Sequence, residues 1–205
     1  LLPKLRGPSP IQTAILNAEE KTGVALFLLD EKVDHGPILT KRELENCELR
    51  ITNYEGLNRK LAELGADLLI ETLPKWLNGE TKPLPQNEAE ATYTKMIKRE
   101  DGEINPQQET ADEIDRKIRA LNPEPGTYLR ITNDELRIKN VKILRANLAS
   151  DVNKISSAKE IDNFLIQEQK LYLKTKKGLL EIETLQPEGK KPIIAKDFIN
   201  GYLSK

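Results

Sequence analysis

The spacing of apolar residues changes several times along this chain, and each change predicts an element. Residues 22–29 form a compact apolar run without alternation, which predicts a short strand buried on both faces. A polar loop over residues 30–36 follows, and residues 37–44 read as a second strand. The period then becomes helical. Leu57, Leu61, Leu64, Leu68, Leu73 and Trp76 mark one face of a long helix. Thr52 with Glu55 supplies a capping box at its start, and Asn78-Gly79 supplies its stop. Ahead of the first strand, residues 1–9 form a proline-punctuated loop, and Pro10 opens a short helix running to about Glu20.

From residue 80 to 107 the apolar content falls and prolines recur at Pro83, Pro85 and Pro106, the composition of an interdomain linker. A second capping box, Thr110 with Glu113, opens a helix with Ile114, Ile118 and Leu121 on its face, stopped at Asn122-Pro123. Short β-type patterns follow at residues 128–132, 135–148, 170–175 and 179–185. A small barrel of the OB type is one architecture that uses strands this short. The expected organisation is an α/β part over residues 1–79, a linker over 80–107, and a mainly β domain over 108–205.

Composition narrows the class. Of 205 residues, 32% are charged and 38% hydrophobic, as in a globular chain with adequate core material. A formal net charge of -1 excludes a broadly basic nucleic-acid protein but leaves room for a local basic face. One cysteine, Cys47, cannot form an internal disulfide, which fits a reducing compartment. The longest apolar run, residues 24–29, is far too short to cross a bilayer. The expectation is a soluble protein without a membrane partner.

Candidate chemistry lies in the loop between the first two strands. Asp30 and Asp34 sit there, where a carboxylate either orients an imidazole and accepts a proton or only stabilises the turn before Gly36. His35 is the sole histidine, and no Ser or Cys nucleophile with a recognisable elbow accompanies it. Zinc spacing, phosphate-binding glycine loops and dinucleotide fingerprints are missing from the sequence. Basic residues gather at Lys95, Lys98 and Arg99, and again at Lys174, Lys176, Lys177, Lys190 and Lys191, with Tyr93, Tyr128 and Tyr172 nearby in sequence. Such a mix suits a phosphate backbone, and equally a solvated surface.

Three blocks resemble folate-dependent formyltransferases. The first is LLPKLRGPSPI at residues 1–11, and the second is Thr22-Gly23-Val24 with the Asp-x-x-x-Asp-x-Gly-Pro pattern from Asp30 to Pro37. Both look like formyltransferases that use 10-formyltetrahydrofolate. The third is Leu185-Gln186-Pro187-Glu188-Gly189-Lys190-Lys191 with Asp197-Phe198-Ile199-Asn200-Gly201. Together with Ala91-Thr92-Tyr93 and Ile118 to Pro123, it is similar to the C-terminal domain of the methionyl-tRNA formyltransferase family.

The resemblance implies the C-terminal part of a formyltransferase-type α/β domain followed by an OB-like, tRNA-binding domain. It implies transfer of a formyl group from 10-formyltetrahydrofolate to the amino group of methionyl-initiator tRNA, with no metal. A non-catalytic tRNA-binding remnant and a sugar or nucleotide N-formyltransferase are the alternatives. Asp34 matches the family aspartate that holds and charges a catalytic histidine. Leu1, Leu2 and Pro3 match the segment lining the folate pocket, and Arg6 and Gly7 continue that loop. Lys95, Lys98, Arg99, Lys176, Lys177, Lys190 and Lys191 would hold the tRNA acceptor stem. His35 stands where the family usually has a small residue, often Thr, and so does not replace the catalytic histidine. Position 1 is not Met, and the family's catalytic asparagine and histidine would precede Leu1. The chain is therefore expected to be N-terminally truncated, inactive by itself, monomeric, and cytoplasmic or from an organellar matrix.

Overall fold

The structure, a computed structural model, describes residues 1–44, 53–131, 138–149 and 158–203. The chain divides into two compact units, Leu1–Ile97 and Lys98–Lys205. Cys47 and Thr52 lie outside the described residues.

In the first unit, α1 spans Pro10–Leu16 and buries Ala14 and Ile15. It stops short of Glu20 because Ala18 turns left-handed, with φ of 52°. Strand β1 (Thr22–Phe27) pairs antiparallel with β2 (Ile38–Leu44), Thr22 facing Leu44. β1 departs from the expected burial on both faces: Thr22 alone is buried and the rest is half-buried. Helix α2 (Tyr54–Leu77) packs against the strand, with Gly65 over Val24, where a Cβ would make an ordinary van der Waals contact of 3.5 Å with Val24 Cγ1. Residues of β1 also line a cavity.

The cap of α2 is Asn53, whose side chain accepts from Gly56 N at 2.9 Å. Its buried face is Leu57, Leu61, Leu68 and Thr72. Leu73, expected on that face, is 46% exposed. The four-residue step from Leu68 reaches Thr72, and Leu73 sits about 100° further round the helix. Asn78 ends the helix, and Gly79 follows with φ of 75°.

The second unit is a mixed sheet with one long helix. Its elements are β3 (Glu103–Ile104), α3 (Ala111–Leu121), β4 (Tyr128–Arg130), β5 (Asn140–Leu148), β6 (Lys159–Ile161), β7 (Phe164–Gln167), β8 (Lys170–Lys174), β9 (Leu179–Pro187), β10 (Ile193–Ile194) and α4 (Ala195–Phe198). The strand order is β3-β4-β5-β9-β8-β7-β6, with β10 beside β9. β3 and β4 run parallel, and the other pairs are antiparallel. Two register shifts in the β5–β9 pair, flanking Arg145, bend the sheet at its centre.

The expected capping box of α3 is present, with Thr110 accepting from Glu113 N and Glu113 accepting from Thr110 N. Ile114 and Ile118 then reach the core with Val141, Ile143, Leu171, Leu173 and Ile182. Phe198 closes the far end against Phe164 and Tyr202. The sequence pattern does not reveal β6 and β7.

Candidate functional site

Asp34 is held in a conformation that few residues adopt. Its backbone is left-handed, with φ of 48°, at the end of the loop joining β1 to β2. Gly36, two residues on, is packed so tightly that a Cβ would fall 1.7 Å from the Leu28 carbonyl oxygen. The turn therefore requires glycine there, and it aims the Asp34 carboxylate back at the loop of residues 1–9. Gly7 N donates to Asp34 Oδ2 at 2.7 Å. Gly7 itself has φ of 113°, and a Cβ would lie 2.9 Å from Thr94 Oγ1.

These two loops bound a cavity of about 370 Å³. Leu1, Leu2, Lys4, Leu5 and Gly7 line it, with Gly23, Val24, Ala25 and Phe27 of β1, Leu61 of α2, and Asp34. Asp34 thus presents a carboxylate at the wall of a largely apolar space, and among the described residues its only side-chain hydrogen bond is the one from Gly7. A volume of this size falls within the range of small-molecule sites.

Of the residues expected to contact folate, Leu1, Leu2 and Gly7 line the cavity, whereas Pro3 and Arg6 do not. Arg6 is wholly buried and turned the other way. Its guanidinium donates to Gln86 Oε1 at 2.9 Å and 3.3 Å, to both Glu88 oxygens at 2.7 Å and 3.1 Å, and to Tyr93 Oη at 3.2 Å. Its backbone bonds Thr92 and Thr94 as in a parallel bridge. The bond to Glu88 holds Arg6 even further above its usual range and draws Glu88 below the usual carboxylate range.

Gln86, Glu88, Thr92 and Thr94 come from the stretch whose composition reads as linker, and nothing in the sequence singles out Gln86 or Glu88. Ala91-Thr92-Tyr93 stands out through its resemblance, but no local pattern marks Gln86. The Gln86 side-chain amide donates to Asp34 O at 2.8 Å and to Gly36 O at 2.7 Å while its oxygen accepts from Arg6. His35 faces outward from the same loop. Its Nδ1 lies 2.5 Å from Asp30 Oδ2, and Nε2 lies 3.5 Å from Glu88 Oε1. The bond to His35 draws the Asp30 carboxyl below its ordinary range.

The basic candidates are all exposed. Lys95 belongs to the first unit, where its carbonyl takes the Ser9 hydroxyl at 2.6 Å. The others belong to the second. Arg99 lies over the Tyr128 ring, 6.0 Å from its centroid. Lys176 and Lys177 form the turn from β8 to β9, pinned to the start of α3 by Lys176 N to Glu109 O at 3.1 Å and Ala111 N to Lys177 O at 3.0 Å. Lys190 and Lys191 occupy the turn from β9 to β10, where Gln186 Nε2 holds the Lys190 carbonyl at 2.7 Å. Among the described residues, no cluster of three or more His, Cys, Asp or Glu side chains could hold a metal, and no helix is long and apolar enough to cross a membrane.

Comparison with known proteins covers both units. Residues 1–73 match the family model described as formyl transferase, and residues 96–203 match the one described as formyl transferase, C-terminal domain. The methionyl-tRNA formyltransferase of Thermodesulfovibrio yellowstonii is 39% identical over 202 residues, covering 98% of this chain and 60% of that protein. The protein of the same name from Roseiflexus castenholzii is 39% identical over 201 residues, with 98% and 61% covered. The chain thus spans about three-fifths of the length of these relatives.

Solved structures extend the likeness to the fold. HypX from Aquifex aeolicus in complex with tetrahydrofolic acid superposes with a TM-score of 0.70 at 19% identity, over 96% of this chain and 34% of that one. The N-formyltransferase from Helicobacter canadensis, bound to folinic acid and dTDP-3-aminofucose, gives 0.65 at 23%, over 91% and 63%.

Proposed function

This chain belongs to the formyl transferase family, and on that premise we propose that the protein carrying it moves a formyl group from 10-formyltetrahydrofolate to the amino group of methionyl-initiator tRNA. The observation that carries this reading is the Asp34 carboxylate, fixed by Gly7 N at the wall of an apolar cavity of about 370 Å³. The choice of acceptor is supported by similarity to methionyl-tRNA formyltransferases running through both units. The likeness to the N-formyltransferase bound to dTDP-3-aminofucose, at 23% identity, speaks to the fold alone.

Attack of an amine on a formyl carbon develops negative charge on the formyl oxygen and positive charge on the nitrogen. The folate, when bound, supplies that electrophilic carbon. Leu1, Leu2 and Gly7 would form one side of its pocket, opposite Val24, Ala25 and Phe27. Arg6 supports this wall from behind through the loop backbone, and Pro3 shapes the turn. Asp34 sets a carboxylate at the pocket wall, and by resemblance it orients the family's catalytic imidazole and stabilises its charged form.

We read the second unit as an open relative of the OB barrel that carries the acceptor end of the tRNA. Lys176 and Lys177 at one end of β9 and Lys190 and Lys191 at its other end would meet separate phosphates, with Arg99 over the Tyr128 ring, Lys98 next to it in sequence, and Lys95 on the first unit. Contacts of that kind position the tRNA rather than select its amino acid. Replacing Lys190 and Lys191 together with Ala should lower the slope of log affinity against log salt by about 0.7–0.9 for each phosphate that is no longer neutralised. A slope equal to that of the unmodified protein would make these lysines solvated surface.

Substrate competition tests the whole reading. The protein carrying this chain is given 10-formyltetrahydrofolate with methionyl-initiator tRNA and a nucleotide-linked 3-amino sugar in the same tube. Formylation of the methionyl amine is the expected outcome, and product on the sugar alone contradicts it.

A further inference from the structure

We infer that Gln86 is a positioning residue for Asp34: its side-chain amide locks the left-handed turn that aims the carboxylate into the cavity. The inference rests on the role proposed above for Asp34 and adds a residue to which that role assigns nothing.

The geometry uses every polar atom of the Gln86 amide. The nitrogen donates to the carbonyls of Asp34 and Gly36, at 2.8 Å and 2.7 Å, and so spans the turn from its first residue to its last. The oxygen accepts from Arg6 Nη2 at 2.9 Å and Nε at 3.3 Å. Arg6 neighbours Gly7, whose N–H holds the Asp34 carboxylate at 2.7 Å. The circuit Gly7–Asp34–Gln86–Arg6 is therefore closed, and two loops far apart in sequence are fixed to each other through one amide.

A turn with φ of 48° at a non-glycine residue holds its shape when neighbours over-determine it. Gln86 supplies two of the bonds that do so. Without them the Asp34 backbone is free to relax toward a right-handed conformation, swinging the carboxylate off Gly7 N and away from the cavity wall. A displacement on the order of 1 Å at a reacting group costs about 100-fold in rate.

Two substitutions separate positioning from support. Gln86→Glu keeps an oxygen for Arg6 but removes both donors and sets a carboxylate against two carbonyls. Gln86→Ala removes the Arg6 contact as well. In the protein carrying this chain, the Glu variant should retain its KM for methionyl-tRNA while kcat falls roughly 10- to 100-fold. Exchange of the Gly7 amide with solvent, followed by NMR, should accelerate at least about tenfold in the same variant as the Asp34 bond loosens.

The two readouts fail separately. If the unmodified protein transfers no formyl group, the proposed activity falls, and the Gly7 exchange rate still decides whether Gln86 holds Asp34. Unchanged Gly7 exchange in both variants overturns the inference. So does an unchanged kcat in Gln86→Glu when the unmodified protein is active.

Discussion

Replacing Asp34 with Asn is expected to remove formyl transfer while leaving tRNA affinity and thermal stability close to those of the unmodified protein. Asn tolerates a φ of 48° better than most residues, and its side-chain oxygen can still accept from Gly7 N. The turn, the Gln86 bonds to the Asp34 and Gly36 carbonyls, and the cavity therefore persist. What disappears is the negative charge that orients an imidazole and stabilises its protonated form. A loss of that kind runs to about 10⁴-fold in kcat. Steady-state kinetics with methionyl-initiator tRNA, paired with a binding isotherm, measure the two halves of the prediction. Turnover within about tenfold of normal would remove Asp34 from the chemistry.

The second large effect concerns stability. Phe198 is fully buried at the end of α4, edge-on to Phe164 at 5.9 Å and stacked on Tyr202 at 5.0 Å between ring centroids. Phe198→Ala should cost about 3–5 kcal/mol, from the ring's transfer out of water and the cavity left against β8 and β9. For a unit of this size, each 1 kcal/mol lowers the melting temperature by roughly 4–8 °C. The transition of the second unit should drop by about 12 °C or more in calorimetry of the whole chain. Phe198→Leu should recover much of that loss by refilling the space. A fall of only a degree or two for the Ala variant would mean that the aromatic cluster does not anchor this end of the sheet.

What can be read from the sequence is local. The Thr110–Glu113 box, the Ile114, Ile118 and Leu121 spacing, and the stop at Asn122 all lie within one helix, so pattern and structure coincide there. The Asn78-Gly79 stop of α2 is legible for the same reason. β6 and β7 escape because their turns lack glycine. Glu168 and Gln169 join β7 to β8 as a two-residue turn with φ of 51° and 63°, a conformation normally announced by Asn-Gly or Asp-Gly. Thr72 takes the place of Leu73 on the buried face of α2 because helical phase, not hydrophobicity, decides which side chain turns inward.

The candidate site is half legible. The Asp-x-x-x-Asp-x-Gly-Pro pattern points to Asp34, and the Leu1, Leu2 and Gly7 loop falls beside it at the cavity. The resemblance places Arg6 at that wall as well, yet its donors go to Gln86, Glu88 and Tyr93. Bonds between a side-chain amide and the carbonyls of a loop some 50 residues earlier leave no periodicity and no motif. Low apolar content in residues 80–97 likewise says nothing about polar docking, which is how Gln86 and Thr92 engage the first loop by accepting from Arg6 and Leu5 N.

The most direct test of the account is transfer of an isotopically labelled formyl group from 10-formyltetrahydrofolate to methionyl-initiator tRNA by the protein carrying this chain. The tRNA ester is then hydrolysed and the released amino acid identified. The account predicts labelled N-formylmethionine from the unmodified protein and a background level from Asp34→Asn. No labelled N-formylmethionine from the unmodified protein, or equal amounts from both, would contradict it.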